Sequence, residues 1–238
     1  MKVISFSLWG TNPTYTVGAV RNADLALHLL PDWTCVFYCW NSVPLDIVQQ
    51  LESRSNVIVR RVDGDYDLTD SRGMFHRFYP ADEIGVERMI CRDTDSRLSR
   101  REVLAIDEWI AQGTDFHIMR DHPYHGTPIL GGMWGVVGGK LTGIREEIFK
   151  FTPTSAKGQD QQFLTSWVWN KITKGDLTTT VHDGIFTPDP FPSAASRGAD
   201  NGGVWFVGQV FDENDKYNSE SDVAILQLEK VKHINDRP

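Results

Sequence analysis

Cysteine is scarce in this sequence: three in 238 residues, Cys35, Cys39 and Cys91. An odd, sparse count excludes a disulfide framework. No second Cys/His pair stands at finger spacing from Cys35 and Cys39, so these read as buried strand residues and not as half a zinc site. No apolar run reaches the length of a membrane span. The segment MKVISFSLWGTNP has a very short apolar run before Gly10 and Pro13, which does not make a signal peptide, and a cytoplasmic protein is expected. Positive charge is also short: 24 Lys and Arg stand against 32 Asp and Glu, a net charge of −8. A nucleic-acid binder carries a basic face, and none shows, so nucleic acid is not an expected partner. A phosphate loop of the Gly-x-x-x-x-Gly-Lys-Ser/Thr type is missing as well. Gly131, Gly132, Gly135, Gly138 and Gly139 interrupt a strand pattern, where glycine marks a bulge or close ligand approach.

The length fits one large α/β domain with a sizeable core, and eight Trp argue for an ordered, enzyme-like chain. The hydrophobic pattern predicts a strand over 3–8, a helix over 17–30 stopped by Pro31 and Asp32, a strand over 34–40, a helix over 44–53 and a strand over 57–62. That β-α-β-α-β opening predicts a doubly wound, largely parallel sheet. An acidic loop (63–70) and a short helix (74–79) follow. Further expectations are a helix over 100–112, a strand over 115–120, a Gly-interrupted strand over 129–137, helices over 142–151 and 159–172, and a strand over 178–181 leading into His182. Residues 187–203 read as a long loop, and 204–211 as a last strand.

Residues 86–99 read VERMICRDTDSRLS: a buried strand that runs into Asp93-Thr94-Asp95. Ligands in open α/β sheets bind at the carboxyl ends of strands. Two carboxylates there form a hard-oxygen site suited to Mg²⁺ or Mn²⁺, and the cation would hold a nucleoside diphosphate. The bland alternative is a solvated turn. His182 has an imidazole acceptable to Mn²⁺ beside carboxylates; otherwise it is a strand-end histidine bonded locally. Asp160, followed by Gln161, opens a helix, which suits the helix dipole and equally puts a carboxylate near a reacting carbon. Arg120-Asp121-His122 and His125 read as cleft-lining polar residues. Trp9 ends the first strand and is a candidate face for base stacking; Tyr15, Phe75, Phe78 and Tyr79 read as mostly core. Arg77 and Arg21 are candidates for a diphosphate, or for surface ion pairs.

Taken in order, ISFSLWG, GMFHRFYPAD, RDTDSRLS, GGMWG, GQDQQFL and VHD resemble the GT-A class of nucleotide-sugar glycosyltransferases. The whole is similar to small bacterial and large-virus members and has features of glycosyltransferase family 8. The resemblance implies a single GT-A-like domain over 1–238, an open, twisted, mostly parallel sheet flanked by helices. Residues 1–99 would form the nucleotide-binding half, and 100–238 the half for donor sugar and acceptor. It implies a metal-dependent transfer from a UDP- or GDP-sugar to a glycan or other hydroxyl acceptor. Asp95 would bind the metal, Asp93 the metal or the donor ribose, and His182 would complete the shell. Ser7, Leu8 and Trp9 would line the base pocket, with Arg77 near the ribose or diphosphate. Asp121 and the Gly131-Gly132 turn would approach the donor sugar, and Asp160 with Gln161 the anomeric carbon. The VHDGIF stretch lacks the Lys that family 8 carries after its His, which leaves diphosphate contacts to Arg21, Arg77 or Lys216. The alternatives are a non-catalytic nucleotide-sugar-binding protein, a phosphohydrolase and a nucleotidyltransferase. The last two place their motifs on or after the first strand, where LWGTNPTY offers neither.

Overall fold

A computed structural model describes residues 1–63, 71–151 and 156–217. The acidic loop lies largely outside the described residues. Seven strands form one sheet: β1 (Lys2–Leu8), β2 (Trp33–Trp40), β3 (Val57–Val62), β4 (Arg88–Cys91), β5 (Phe116–Arg120), β6 (Trp134–Val137) and β7 (Thr179–Asp183), in the order β3-β2-β1-β4-β6-β5-β7. Strands β3, β2, β1 and β4 are parallel; β6 runs antiparallel to β4 and β5; β5 and β7 are parallel to each other. The mostly parallel α/β sheet expected from the opening pattern is what forms. The carboxyl ends of β1, β4, β5 and β7 therefore share one edge, with β4 at the centre.

Helices α1 (Pro13–Leu29), α2 (Leu45–Glu52) and α3 (Arg100–Gln112) cover one face, packing on Ile4, Phe6, Leu8, Phe37 and Ile90. The other face carries a 3-10 helix (Ser71–Asp82), α4 (Ile144–Phe151) and α5 (Gln159–Phe163), packed on Val3, Cys91 and Trp134. Alternation along β1 puts Ile4, Phe6 and Leu8 on the first face and leaves Ser7 facing the second. Cys35, Cys39 and Cys91 are buried free thiols, as read. Burial pushes Cys35 and Cys39 up to about 12, which makes them inert.

Local chemistry explains the boundaries. Helix α1 begins at Pro13, earlier than its apolar pattern, because Asn12 accepts from Thr14 N at 3.0 Å and Pro suits the first helical position. Helix α3 matches its expected span because Ser99 and Glu102 form a capping box and Gly113 closes the C-terminus at φ +69°. The 74–79 segment is 3-10 in form, which stacks Phe75 and Phe78, three apart, into the core. The 159–172 helix is broken into α5, a π turn (Leu164–Val168) and α6 (Trp169–Thr173).

Two expected strands are corrected. Only Trp134–Val137 of 129–137 is strand; Gly131 and Gly132 form the turn before it. Residues 204–211 are not a strand. Trp205 N goes to Gln209 Oε1 (2.8 Å) and Val207 N to Asp121 Oδ2 (2.9 Å), and Gly208 has φ +84°. Only isolated bridges form here, Val204 with Gly198, Val210 with Ser96 and Phe211 with Tyr217, and no continuous ladder.

Candidate functional site

At the carboxyl end of β4, the side chain of Asp93 lies on the same face as Cys91, toward the 3-10 helix. Arg77, buried on that helix, donates Nη1 to Asp93 Oδ1 and Nη2 to Asp160 Oδ2, the second bond at 2.8 Å. One guanidinium thus joins two carboxylates from distant parts of the chain. Burial opposes its charge, but Asp93 and Asp160 outweigh that and hold it protonated. Arg77 N donates to Ser7 Oγ at 3.0 Å, which anchors the 3-10 helix to the end of β1. Asp160 is 4% exposed and Asp93 43%, so the site is closed beneath Asp160 and open above Asp93. Among the described residues, Asp160 Oδ1 accepts no hydrogen bond.

The Gly131-Gly132 turn roofs this triad. A Cβ on Gly131 would overlap Asp160 Oδ2 and stand 2.6 Å from Arg77 Nη2; one on Gly132 would overlap the Asp93 carboxylate. Trp134 Nε1 donates to Gly131 O at 3.1 Å and fixes the turn. Only glycine lets a backbone pass this close to the carboxylates.

Asp95 lies two residues beyond. Burial and the charge of Asp93 push its carboxyl from 3.8 up to about 6. Among the described residues it has no ion pair. Two crowded carboxylates, one without a cationic partner, fit a divalent cation by donor chemistry. Tyr15 stands beside them at the start of α1; burial, then Asp95 and Asp93, raise its phenol.

The side of the cleft around Trp9 is aromatic. Trp9 and Trp40 ring centroids are 6.3 Å apart, and His76 packs edge-on against Trp40 at 5.8 Å. A Cβ on Gly73 would meet Trp40 at 2.9 Å and Trp9 at 3.3 Å. Leu8 points away into the α1 core, so of the first-strand trio Ser7 and Trp9 face this side.

Other sequence candidates lie elsewhere. His182 is not brought to the aspartates: its Nδ1 is 2.8 Å from His117 Nε2, its Nε2 is 3.8 Å from Glu108, and its ring packs on Phe191. No group of three or more His, Cys, Asp or Glu able to hold a metal ion forms among the described residues. Asp121 is fully engaged, accepting from Arg101 Nε (2.7 Å) and Nη2 (2.8 Å), Arg197 Nη2 (2.6 Å) and Val207 N (2.9 Å). It clasps the C-terminal loops to α3 and β5. Gln161 is half-buried beside Asp160. Arg21 is exposed and pairs with Asp215 at 3.4 Å. Lys216 is exposed in the neighbouring turn. Sequence reasoning missed Asn22, Gly18, Trp40, His76 and Gly73; a glycine inside the α1 pattern was the available signal at position 18.

The histidine pair sets an expectation. Burial, His182 and Arg92 hold His117 well below 6.5, and burial lowers His182 against the pull of Glu108. A histidine depressed in the fold stabilises above pH 6.5 and loses that contribution as the pH falls toward its folded value. Stability is expected to fall as the pH drops below 6.5. The imidazole NMR signals of His117 and His182 should titrate below 6.5; titration at or above it would refute this.

No family model and no curated protein matches the sequence. Solved structures do match. S. aureus TarS 1-349 superposes with a TM-score of 0.50 at 11% identity, over 77% of this chain and 58% of that one. Its complex with UDP gives 0.51 at 10% identity over the same shares. The fold is that of the GT-A glycosyltransferases. A mannosyltransferase from Pyrobaculum calidifontis in complex with GDP-Man and Mn²⁺ matches at 0.49 and 11%, over 77% of this chain and 55% of that one. The chain thus spans little more than half of these structures. Among the described residues no helix is long and apolar enough to cross a membrane.

Proposed function

We propose that this protein transfers a sugar from a nucleoside-diphosphate sugar to an acceptor hydroxyl, with a divalent cation held by Asp93 and Asp95. The observation that carries this is the buried Arg77 fork, which joins Asp93 at the end of β4 to Asp160 under the Gly131-Gly132 turn, on a GT-A sheet. On this reading the open side of Asp93 faces the cation and donor, with Asp160 beneath it. The cation, when bound, neutralises charge that develops on the departing diphosphate.

The chain's own residues do the rest. Trp9, half-exposed and backed by the buried Trp40, is the candidate face for the base, and Gly73 lets the 3-10 helix pack against both rings. Arg77 holds Asp160 in place through Oδ2. In an inverting transfer Asp160 accepts the proton of the acceptor hydroxyl; in a retaining one it stabilises the cationic carbon. The Gly131-Gly132 backbone packs directly on the two carboxylates and would border the sugar site. Gln161, the next residue of α5, is the candidate to bond a sugar hydroxyl. The clasped Asp121 serves the reaction only by holding the loops in place.

The direct test is a thermal-shift screen of UDP- and GDP-sugars with and without Mn²⁺, followed by release of nucleoside diphosphate. A sugar nucleotide at 100 times its Kd is expected to add about 2.7 kcal/mol of stability, seen only with Mn²⁺. Shift without turnover across acceptors would favour a non-catalytic binder. The absence of both a shift and metal dependence would sink the assignment.

A further inference from the structure

Helix α1 touches the aspartate turn at one place. A Cβ on Gly18 would overlap Thr94 O, so the turn rests directly on the helix backbone. Asn22, one turn later and 1% exposed, reaches across the same contact. Its Nδ2 donates to Ser96 O at 2.8 Å and Thr94 O at 3.3 Å, and also to Gly18 O at 3.1 Å. Its Oδ1 accepts from Leu98 N at 2.9 Å. One amide therefore serves three backbone groups of the segment that carries Asp95. Further supports are Ser96 Oγ to Asp93 O at 2.9 Å, Arg97 Nη1 to Ser96 O at 2.9 Å and Thr94 O at 3.5 Å, and Phe211 N to Asp95 O at 2.8 Å. Of these, only Asn22 ties the turn to a long helix.

An asparagine in mid-helix has a poor intrinsic preference, and so does glycine. Both occur within five residues of α1 and both face the same turn. Helix stability does not explain them; the turn does. We propose that Asn22 is a positioning residue, which together with Gly18 fixes the backbone of the Asp93-Thr94-Asp95 turn and so the spacing at which the two carboxylates meet a divalent cation. This rests on the reading of Asp93 and Asp95 as the cation site.

The test uses the full chain and Mn²⁺ alone, with free Mn²⁺ read by electron paramagnetic resonance well below each variant's Tm. Asn22→Ala removes all three bonds to the turn and is expected to weaken Mn²⁺ binding by about tenfold or more, the scale of losing a residue that orients metal ligands. Asn22→Asp keeps an acceptor for Leu98 N and loses the donors to Thr94 O and Ser96 O. Hydrogen exchange should therefore show Leu98 protected in Asn22→Asp and unprotected in Asn22→Ala, with Mn²⁺ binding weakened in both. Gly18→Ala should weaken it as well, and carries the test with Asn22→Asp if Asn22→Ala does not fold. The control is Asn56→Ala: Asn56 is a buried asparagine that bonds Ala23 O at 3.0 Å, away from the turn. It should lower Tm and leave Mn²⁺ binding as it was. Asp95→Asn is the second comparator. If it loses Mn²⁺ while Asn22→Ala binds like the parent, the positioning role alone is overturned. If Asn56→Ala weakens binding as much as Asn22→Ala, the effect is one of general stability and the role is again overturned. If Asp95→Asn binds like the parent, the cation site itself is wrong, and the inference falls with it.

Discussion

Asp95→Asn is expected to abolish turnover and at the same time raise the melting temperature. The two effects have one origin. Burial and Asp93 push the Asp95 carboxyl up to about 6, against an ordinary value near 3.8. A carboxyl raised in the fold is ionised at a cost once the pH passes its folded value. The cost is absent below about pH 4, grows between pH 4 and 6, and is constant above. Two pKa units correspond to about 3 kcal/mol. Asp95 is only partly buried, so solvent screening reduces this to about 1–2 kcal/mol. Asparagine keeps the shape and removes the charge. The Tm of the metal-free protein should rise by about 2–6 °C at pH 7.5 and by almost nothing at pH 4. Turnover with Mn²⁺ should fall on the order of a thousandfold, the scale of several kcal/mol of lost charge stabilisation. A variant that is less stable at pH 7.5 would refute the crowding of the two carboxylates. One that is as active as the parent would refute the site.

Arg77→Ala is expected to have the largest effect on stability of any single change at the site. It leaves Asp160 buried without a partner and facing Asp93. Removing one member of a buried ion pair costs about 3–5 kcal/mol, here visible as a lower urea midpoint and as lost activity. Arg77→Lys should not recover it, because an ammonium is a point charge and cannot fork between two carboxylates. Adding Asp160→Asn to Arg77→Ala removes the stranded charge, so the double variant should regain part of the midpoint and none of the turnover. If the double variant is less stable than Arg77→Ala, the coupling of Arg77 to Asp160 is not what the geometry indicates.

Much of this fold was readable from local signals. The Ser99/Glu102 pair and Gly113 mark both ends of α3, and 57–62 matches β3 to the residue. The strand running into Asp93 is β4, at the centre of the sheet. What local pattern could not supply was the partner of each polar side chain. Arg77 was expected near a ribose or diphosphate, yet its two bonds go to residues 16 and 83 positions away. Asp121 looks like any strand-end carboxylate until Arg101, Arg197 and Val207 converge on it. The β-rich stretch 204–211 has the composition of a strand, and long-range side-chain bonds override it. His182 stands beside a conspicuous Asp-Gly, but its neighbour on β5, His117, decides where its nitrogens go.

The reversed strand β6 has an evolutionary corollary. Strand β5 ends at the same edge where β6 begins, so the stretch between them, from Asp121 to the Gly131-Gly132 turn, never leaves the side on which substrate would arrive. A parallel neighbour would have required a crossover, and any insertion would have had to travel the length of the sheet. Here residues can be added or lost around the exposed Tyr124 and Gly126 without shifting the register of a strand. That one connection can thus change in length while Asp93, Arg77 and Asp160 stay where they are.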